Sequence, residues 1–394
     1  MKIRDLRSTI LSVPFAKPTF WPYGRWDGIT VAVVEIETDT GIVGIGESVC
    51  LQSPAESVKG YLDGAKPLLV GEDPFDTERI GRKLEGLGGW AFARHFAGYF
   101  LGGIDMALWD IIGKACGQPL YKLLGGKVRD RAACFKFIHH DEPRVMAADA
   151  EEAVAQGYGT IYCKYTTVDH LKEAIAAMRE AIGDEPRLWV DFNGTLSPGF
   201  AVRFLREMER YRIDIAEQPV LPSNLDGMAY VRNSVSSQIL AHESSWTLGE
   251  AMNVVKRGAA DIISVEPRMT WGILATKKAA AIAEAAGMAV IMHSAAELGV
   301  ATAAFLHVIA STPNFILANQ CMYDWFDDDY IKGGKLRFEK GCLPVPHGPG
   351  LGVELDRDKM AQYNEKYKEV GSFPIFGARP EELPTAPTPL WPAY

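Results

Sequence analysis

The chain has 394 residues, 47% of them hydrophobic and 23% charged, with a formal net charge of −9. That length suits two domains, each with its own core. The acidic balance without a basic cluster argues against nucleic-acid binding, and no apolar run approaches the ~18 residues of a membrane span. Six scattered cysteines with no Cys-x-x-Cys pair, and an N-terminus with charges spread through it, suggest a cytoplasmic protein with reduced thiols.

The first elements read as strands followed by helices. ITVAVVEIETDTGIVGIGES reads as two strands about a turn at Asp39-Thr40-Gly41. In HFAGYFLGGIDMALWDIIGKACGQPLYKLLGG, the spacing of Ile104, Leu108, Ile111 and Ile112 predicts a helix that stops at Gly-Gln-Pro. Residues 1–126 are therefore expected to form an α+β domain. From about residue 127 to 345 the pattern alternates strand and helix. The strands are expected at AACFKFIH, GTIYCKY, RLWVDFN, DIAEQP, QILAHES, DIISVEP, AVIMHS and FILANQ. Eight strands alternating with helices predict an α/β fold built on a parallel (β/α)7β-type TIM barrel. The remainder, 346–394, is expected to return to the first domain as a cap-completing segment.

Each expected strand ends on a polar residue: His139 or His140, then Lys164, Asp191, Glu217, Glu243, Glu266, His293 and Asn319. From Lys164 onward the gaps are 27, 26, 26, 23, 27 and 26 residues, about one βα unit each. In a parallel barrel such residues share the C-terminal rim, where active sites form. A single acid there reads as a loop cap. Three in succession, Asp191, Glu217 and Glu243, repel one another unless a cation lies between them. Oxygen donors favour Mg2+, with Mn2+ as the alternative. Lys164 and His293 flank this trio in strand order as candidates for proton transfer. Glu266 is placed to hydrogen-bond the imidazole and fix its tautomer.

These motifs resemble the mandelate racemase and muconate-lactonizing branch of the enolase superfamily over nearly the whole chain. GGIDMALWDIIGKACGQPLYKLLGG is similar to that branch's capping-domain signature, and VDFNG, AEQP and HES to its metal-binding strand ends. The resemblance implies Asp191, Glu217 and Glu243 as Mg2+ ligands, with His242 the ligand instead of Glu243 if the register shifts by one. It implies Lys164 as the second lysine of a Lys-x-Lys motif and His293 with Glu266 as a catalytic pair. Tyr162 stands where the first lysine would be, Glu297 where the family often has an acid, and Asn319 where mandelate racemase has a glutamate. These three join Asn193 as expected substrate contacts. The loop PFAKPTFWPYGRWDG, with Trp21 and Arg25 among its residues, corresponds to one that closes over the substrate. The implied chemistry is abstraction of the proton α to a carboxylate through an enediolate. Dehydration of a hydroxy-acid or acid sugar is the expected outcome, with racemisation, epimerisation or cycloisomerisation as alternatives. A non-catalytic barrel used for binding is a further alternative, favoured by the loss of the first lysine. The resemblance also implies a homo-oligomer acting on a small carboxylate.

Overall fold

The computed structural model describes residues 1–21, 24–51, 54–86, 94–164 and 167–373. The chain opens with an antiparallel sheet, β1 (Ile3–Trp21), β2 (Gly24–Thr38) and β3 (Val43–Val49), in the order β1-β2-β3. Residues alternate apolar on both faces, so both faces are buried. Leu6, Ile10, Ala32, Val34 and Ile36 join a cluster with the helices Ala55–Leu69 and Thr77–Glu85. Leu11, Val13, Val31 and Val33 belong to the cluster that continues into the barrel.

The long helix Arg94–Ala115 sits where these layers meet. Its glycines let backbone approach backbone. A Cβ on Gly46 would come within 1.9 Å of Gly103 O, and one on Gly98 within 2.2 Å of Arg268 O. The helix is thereby clamped between β3 and a loop of the barrel rim.

The expected first barrel strand is divided in two. β4 (Arg131–Ala133) leaves the barrel sheet, whereas β5 (Lys136–Phe137) enters it. The sheet then continues through β6 (Thr160–Lys164), β7 (Arg187–Asp191), β8 (Ile215–Glu217), β9 (Gln238–Ala241), β10 (Ile262–Val265) and β11 (Ala289–Met292). It is parallel, seven-stranded and ordered β11-β10-β9-β8-β7-β6-β5, with near-continuous apolar strands such as Ile262-Ile263-Ser264-Val265. β4 pairs instead with β12 (Cys342–Pro344).

The expected eighth strand at FILANQ forms no regular ladder. A single parallel bridge, Cys134 to Asn319, closes the ring. Asn319 N donates to Ala133 O at 2.8 Å, and Gln320 N donates to Met292 O at 3.0 Å. Near the chain's end, the helix Arg357–Val370 packs on β1, with Asn364 Nδ2 donating to Ile10 O at 2.8 Å. The tail beyond residue 373 lies outside the described residues. Among the described residues no helix is long and apolar enough to cross a membrane.

Candidate active site

Lys164, Asp191 and Glu217 are register partners on β6, β7 and β8, so they form one row along the rim. Lys164 Nζ donates to Asp191 Oδ2 at 2.5 Å and to Asn193 Oδ1 at 3.0 Å. Asn193 Nδ2 in turn donates to Glu243 Oε1 at 3.0 Å. Asn193 reaches both groups because its backbone lies in the left-handed region (φ 44°), with its N–H donating to Asp191 Oδ1. Gln218, just past Glu217, is also left-handed (φ 36°). Its Oε1 accepts from His242 N and Ser244 N and so shapes the turn that carries Glu243. Non-glycine residues in that region are uncommon and gather at sites that need a particular side-chain aim.

Glu217 is fully buried. It accepts from Trp189 Nε1 at 2.8 Å, and from Gln320 Nε2 at 2.9 Å and 2.8 Å on its two oxygens. Burial, reinforced by the Asp191 charge, pushes its carboxyl up to about 8. His242 Nδ1 lies 3.3 Å from both Glu217 Oε1 and Glu243 Oε2. Burial opposes the charged imidazole, but Glu243, Glu217 and Asp191 together outweigh it and raise His242 to about 9.

Across the rim, His293 Nδ1 lies 2.8 Å from Glu266 Oε2. Glu266 is itself held by Arg268 Nε on its other oxygen. Arg268 is fully buried. Its Nη2 donates to Glu297 Oε2 at 3.2 Å, and its Nη1 lies 3.8 Å from Glu47 Oε1 of β3. A buried guanidinium needs such counter-charges to exist there. Burial, with the His242 and Arg268 charges, holds His293 well below the usual histidine range. It is therefore neutral at neutral pH, with Nδ1 tied to Glu266 and Nε2 left for a substrate.

Lys164, Asn193, His242, Glu243, His293 and Ser294 line a cavity of about 260 Å3. Apolar side chains, among them Trp26, Leu51, Phe137, Met269, Met322 and Trp325, make up much of the rest of its lining.

Four expected substrate contacts stand elsewhere. Tyr162 is fully buried beneath the rim, stacked on Phe135, and its hydroxyl donates to Asp191 Oδ2 at 2.9 Å. Glu297 serves Arg268 and accepts from Ser294 Oγ, away from the cavity lining. Asn319 spends both ends of its amide on the seam, accepting from Met292 N and donating to Ala133 O. Its neighbour Gln320 is the residue that reaches Glu217. Arg25 pairs with Asp27 at 2.7 Å rather than lining the cavity. The side chain of Trp21 lies outside the described residues.

Among the described residues, no group of three His, Cys, Asp or Glu side chains is gathered about one point as an ion cage. The donor set nonetheless fits a hard cation. Asp191, Glu217 and Glu243 offer oxygen at or just past neighbouring strand ends, Glu243 Oε2 is buried with only the His242 imidazole near it at 3.3 Å, and burial with the Asp191 charge holds the Glu217 carboxyl raised.

Residues 8–125 match the mandelate racemase / muconate lactonizing enzyme N-terminal domain, and residues 145–359 match the enolase C-terminal domain-like family. The L-Ala-D/L-Glu epimerase of Clostridium acetobutylicum is 31% identical over 363 residues, 90% of this chain and 99% of that protein. A D-galactonate dehydratase of Xanthomonas oryzae pv. oryzae is 31% identical over 358 residues, 84% of this chain and 90% of the dehydratase. Among solved structures, the dipeptide epimerase from Enterococcus faecalis V583, complexed with Mg and the dipeptide L-Leu-L-Tyr, superimposes with a TM-score of 0.81 at 28% identity. That match covers 90% of this chain and 100% of the epimerase. This chain belongs to the mandelate racemase / muconate-lactonizing enzyme family of the enolase superfamily.

Proposed function

We propose that the chain is a Mg2+-dependent enzyme that removes the proton α to the carboxylate of a small acid and returns a proton to the other face, as a racemase or epimerase. The observation that carries this reading is that Lys164 and His293, from well-separated strands, line one cavity together with Glu243 and a set of apolar side chains. Asp191, Glu217 and Glu243 would hold the metal, which supplies positive charge against the substrate carboxylate as its α-carbon becomes acidic.

The chain's own groups do the proton work. Asn193 Oδ1 and Asp191 Oδ2 both accept from the Lys164 amine, and Asn193 is itself held by its Nδ2 donating to Glu243, so the amine keeps a defined position at the cavity. His293, neutral and aligned by Glu266, presents Nε2 as acceptor. With one group on each face, the group that accepts the proton from one enantiomer donates it when the reaction runs from the other. The apolar lining keeps water from quenching the carbanionic carbon.

Dehydration of a hydroxy-acid is the second reading. It is supported by the similarity to a D-galactonate dehydratase and by His293, which could take the α-proton on Nε2 and pass it to a departing β-hydroxyl. The apolar lining gives a polyhydroxylated acid few partners, so it weighs against acid sugars as substrates. The test is a panel of chiral carboxylates incubated with the protein and Mg2+ in D2O. Deuterium at the α-carbon with inversion supports the first reading. A 2-oxo product supports the second. No exchange in any acid leaves only a binding role.

A further inference from the structure

The supports of His293 converge on one buried cation. Arg268 lies in the loop after β10, fully buried, with its Cζ 5.1 Å from the ring centre of Phe305. Each part of its fork has a separate duty. Nε donates to Glu266 Oε1, which leaves Glu266 Oε2 to hold the imidazole at 2.8 Å. Nη2 donates to Glu297 Oε2 at 3.2 Å. That same oxygen accepts from Ser294 Oγ at 2.9 Å and Ala295 N at 3.2 Å, in the two residues that follow His293. Arg268 therefore braces His293 twice, through the ring and through the backbone behind it. A lysine ammonium carries the same charge but lacks the planar fork that spans both carboxylates.

The capping domain holds Arg268 in turn. Glu47 of β3 is fully buried. Its Oε1 lies 3.8 Å from Arg268 Nη1 and accepts from Leu298 N at 3.0 Å, while its Oε2 accepts from Tyr330 Oη at 2.7 Å. The long cap helix presses on the Arg268 main chain. A Cβ on Gly98 would come within 2.2 Å of Arg268 O, and one on Gly102 within 2.7 Å of Arg268 Cα. Cap residues thus meet the guanidinium, its backbone and the start of the helix after His293 (Gly299–Ala310). A misplacement of about 1 Å at a reacting group can cost on the order of 100-fold in rate, so this bracing bears on catalysis.

We propose that Arg268, itself held by Glu47 of the capping domain, is a positioning residue that sets the aim and tautomer of His293, so that the seated cap completes one of the two proton-transfer groups. This rests on the reading that His293 serves one face of the substrate carbon. Lys164 is held instead by Asp191 and Asn193, so the two faces should respond differently.

The test compares Arg268→Lys, Arg268→Met and Glu47→Gln with the parent, each as the full chain with Mg2+. Nitrogen NMR reads the His293 ring. Exchange of the α-proton with D2O is followed for each enantiomer of whichever acid in the carboxylate panel exchanges fastest. Loss of an arginine–carboxylate hydrogen bond predicts at least about a tenfold fall in both Arg268 variants, confined to the enantiomer that His293 serves, and a ring proton no longer held on Nδ1. In Glu47→Gln the amide can keep Leu298 N and Tyr330 Oη while losing the charge that faces Arg268, and exchange of the same enantiomer falls about twofold or more. A guanidinium that merely neutralised its carboxylates would be replaced by lysine, so Arg268→Lys exchange within about threefold of the parent overturns the inference. So does an equal loss on both enantiomers, an unchanged ring in both Arg268 variants, or Glu47→Gln exchange equal to the parent's. Absence of exchange in the parent strikes the proposed reaction instead, and the ring measurement then decides the inference alone.

Discussion

Replacing Glu266 with glutamine changes one atom and reverses the direction of a hydrogen bond. Arg268 has only donors, so it must keep the amide oxygen on its own side of residue 266. The amide nitrogen is then left facing His293 Nδ1, where Glu266 Oε2 stood at 2.8 Å. Nδ1 must become the acceptor, the ring proton moves to Nε2, and the nitrogen facing the substrate can no longer take a proton. The lost charge-assisted bond to the developing imidazolium is worth about 1.5–3 kcal/mol. That alone is roughly 10- to 150-fold in kcat, and the tautomer penalty deepens the fall. Binding of substrate should change little, because nothing on the metal side of the rim is touched. The fold should hold, since Arg268 keeps Glu297 at 3.2 Å and Glu47 at 3.8 Å. The assay is steady-state turnover of a working substrate, paired with nitrogen NMR of the His293 ring. A kcat within fivefold of the parent, or an unchanged tautomer, would refute the reasoning.

Three further outcomes are expected. Glu217→Gln should abolish most Mg2+ affinity, and Gln320→Leu, which removes the Gln320 bonds to both Glu217 oxygens and leaves only Trp189 Nε1 on Oε2, should weaken it about tenfold; calorimetric Mg2+ titrations that match the parent would undo the ligand assignment. Asp105 accepts from Ile273 N at 2.6 Å, and burial lifts its carboxyl from 3.8 to about 7. A raised acid favours the protonated fold, so stability on the order of 4 kcal/mol is present below about pH 4 and lost as pH rises through 7. Asp105→Asn keeps the acceptor without the charge; its advantage over the parent in urea should be small at pH 5 and large at pH 8, and a constant gap would contradict the sign. Gly46→Ala places a methyl 1.9 Å from Gly103 O and should lower the melting temperature sharply; an unchanged melting curve would mean that β3 and its helix do not pack as closely as described.

The barrel was legible because its strands are short apolar runs and its units nearly equal in length. The same regularity put Lys164, Asp191 and Glu217 in one row, which the register reproduces. The misreadings have physical causes. Tyr162 lies two residues before Lys164, so both side chains point into the barrel, but Tyr162 lies a layer lower and supports Asp191 instead of touching a substrate. At the closing stave, a ladder too short to count as a strand hides the register, so the sequence points to Asn319 where Gln320 does the reaching. Arg268 follows Glu266 in a loop and carries no periodic signal. Only the fold brings Glu47 and Glu297 around it, from positions more than 200 and nearly 30 residues away. The glycines at 46, 98 and 103 carry no local signal of their role as the contact points of the long helix with β3 and the Arg268 loop.

The central claim is that Lys164 and His293 address opposite faces of one carbon. Its most direct measurement is α-proton exchange with D2O, followed separately for each enantiomer of a working substrate, in Lys164→Ala and His293→Asn. The account predicts complementary losses: one variant stops exchanging the first enantiomer while still exchanging the second, and the other variant does the reverse. Loss of exchange from the same enantiomer in both variants, or unaltered exchange in either, would contradict it.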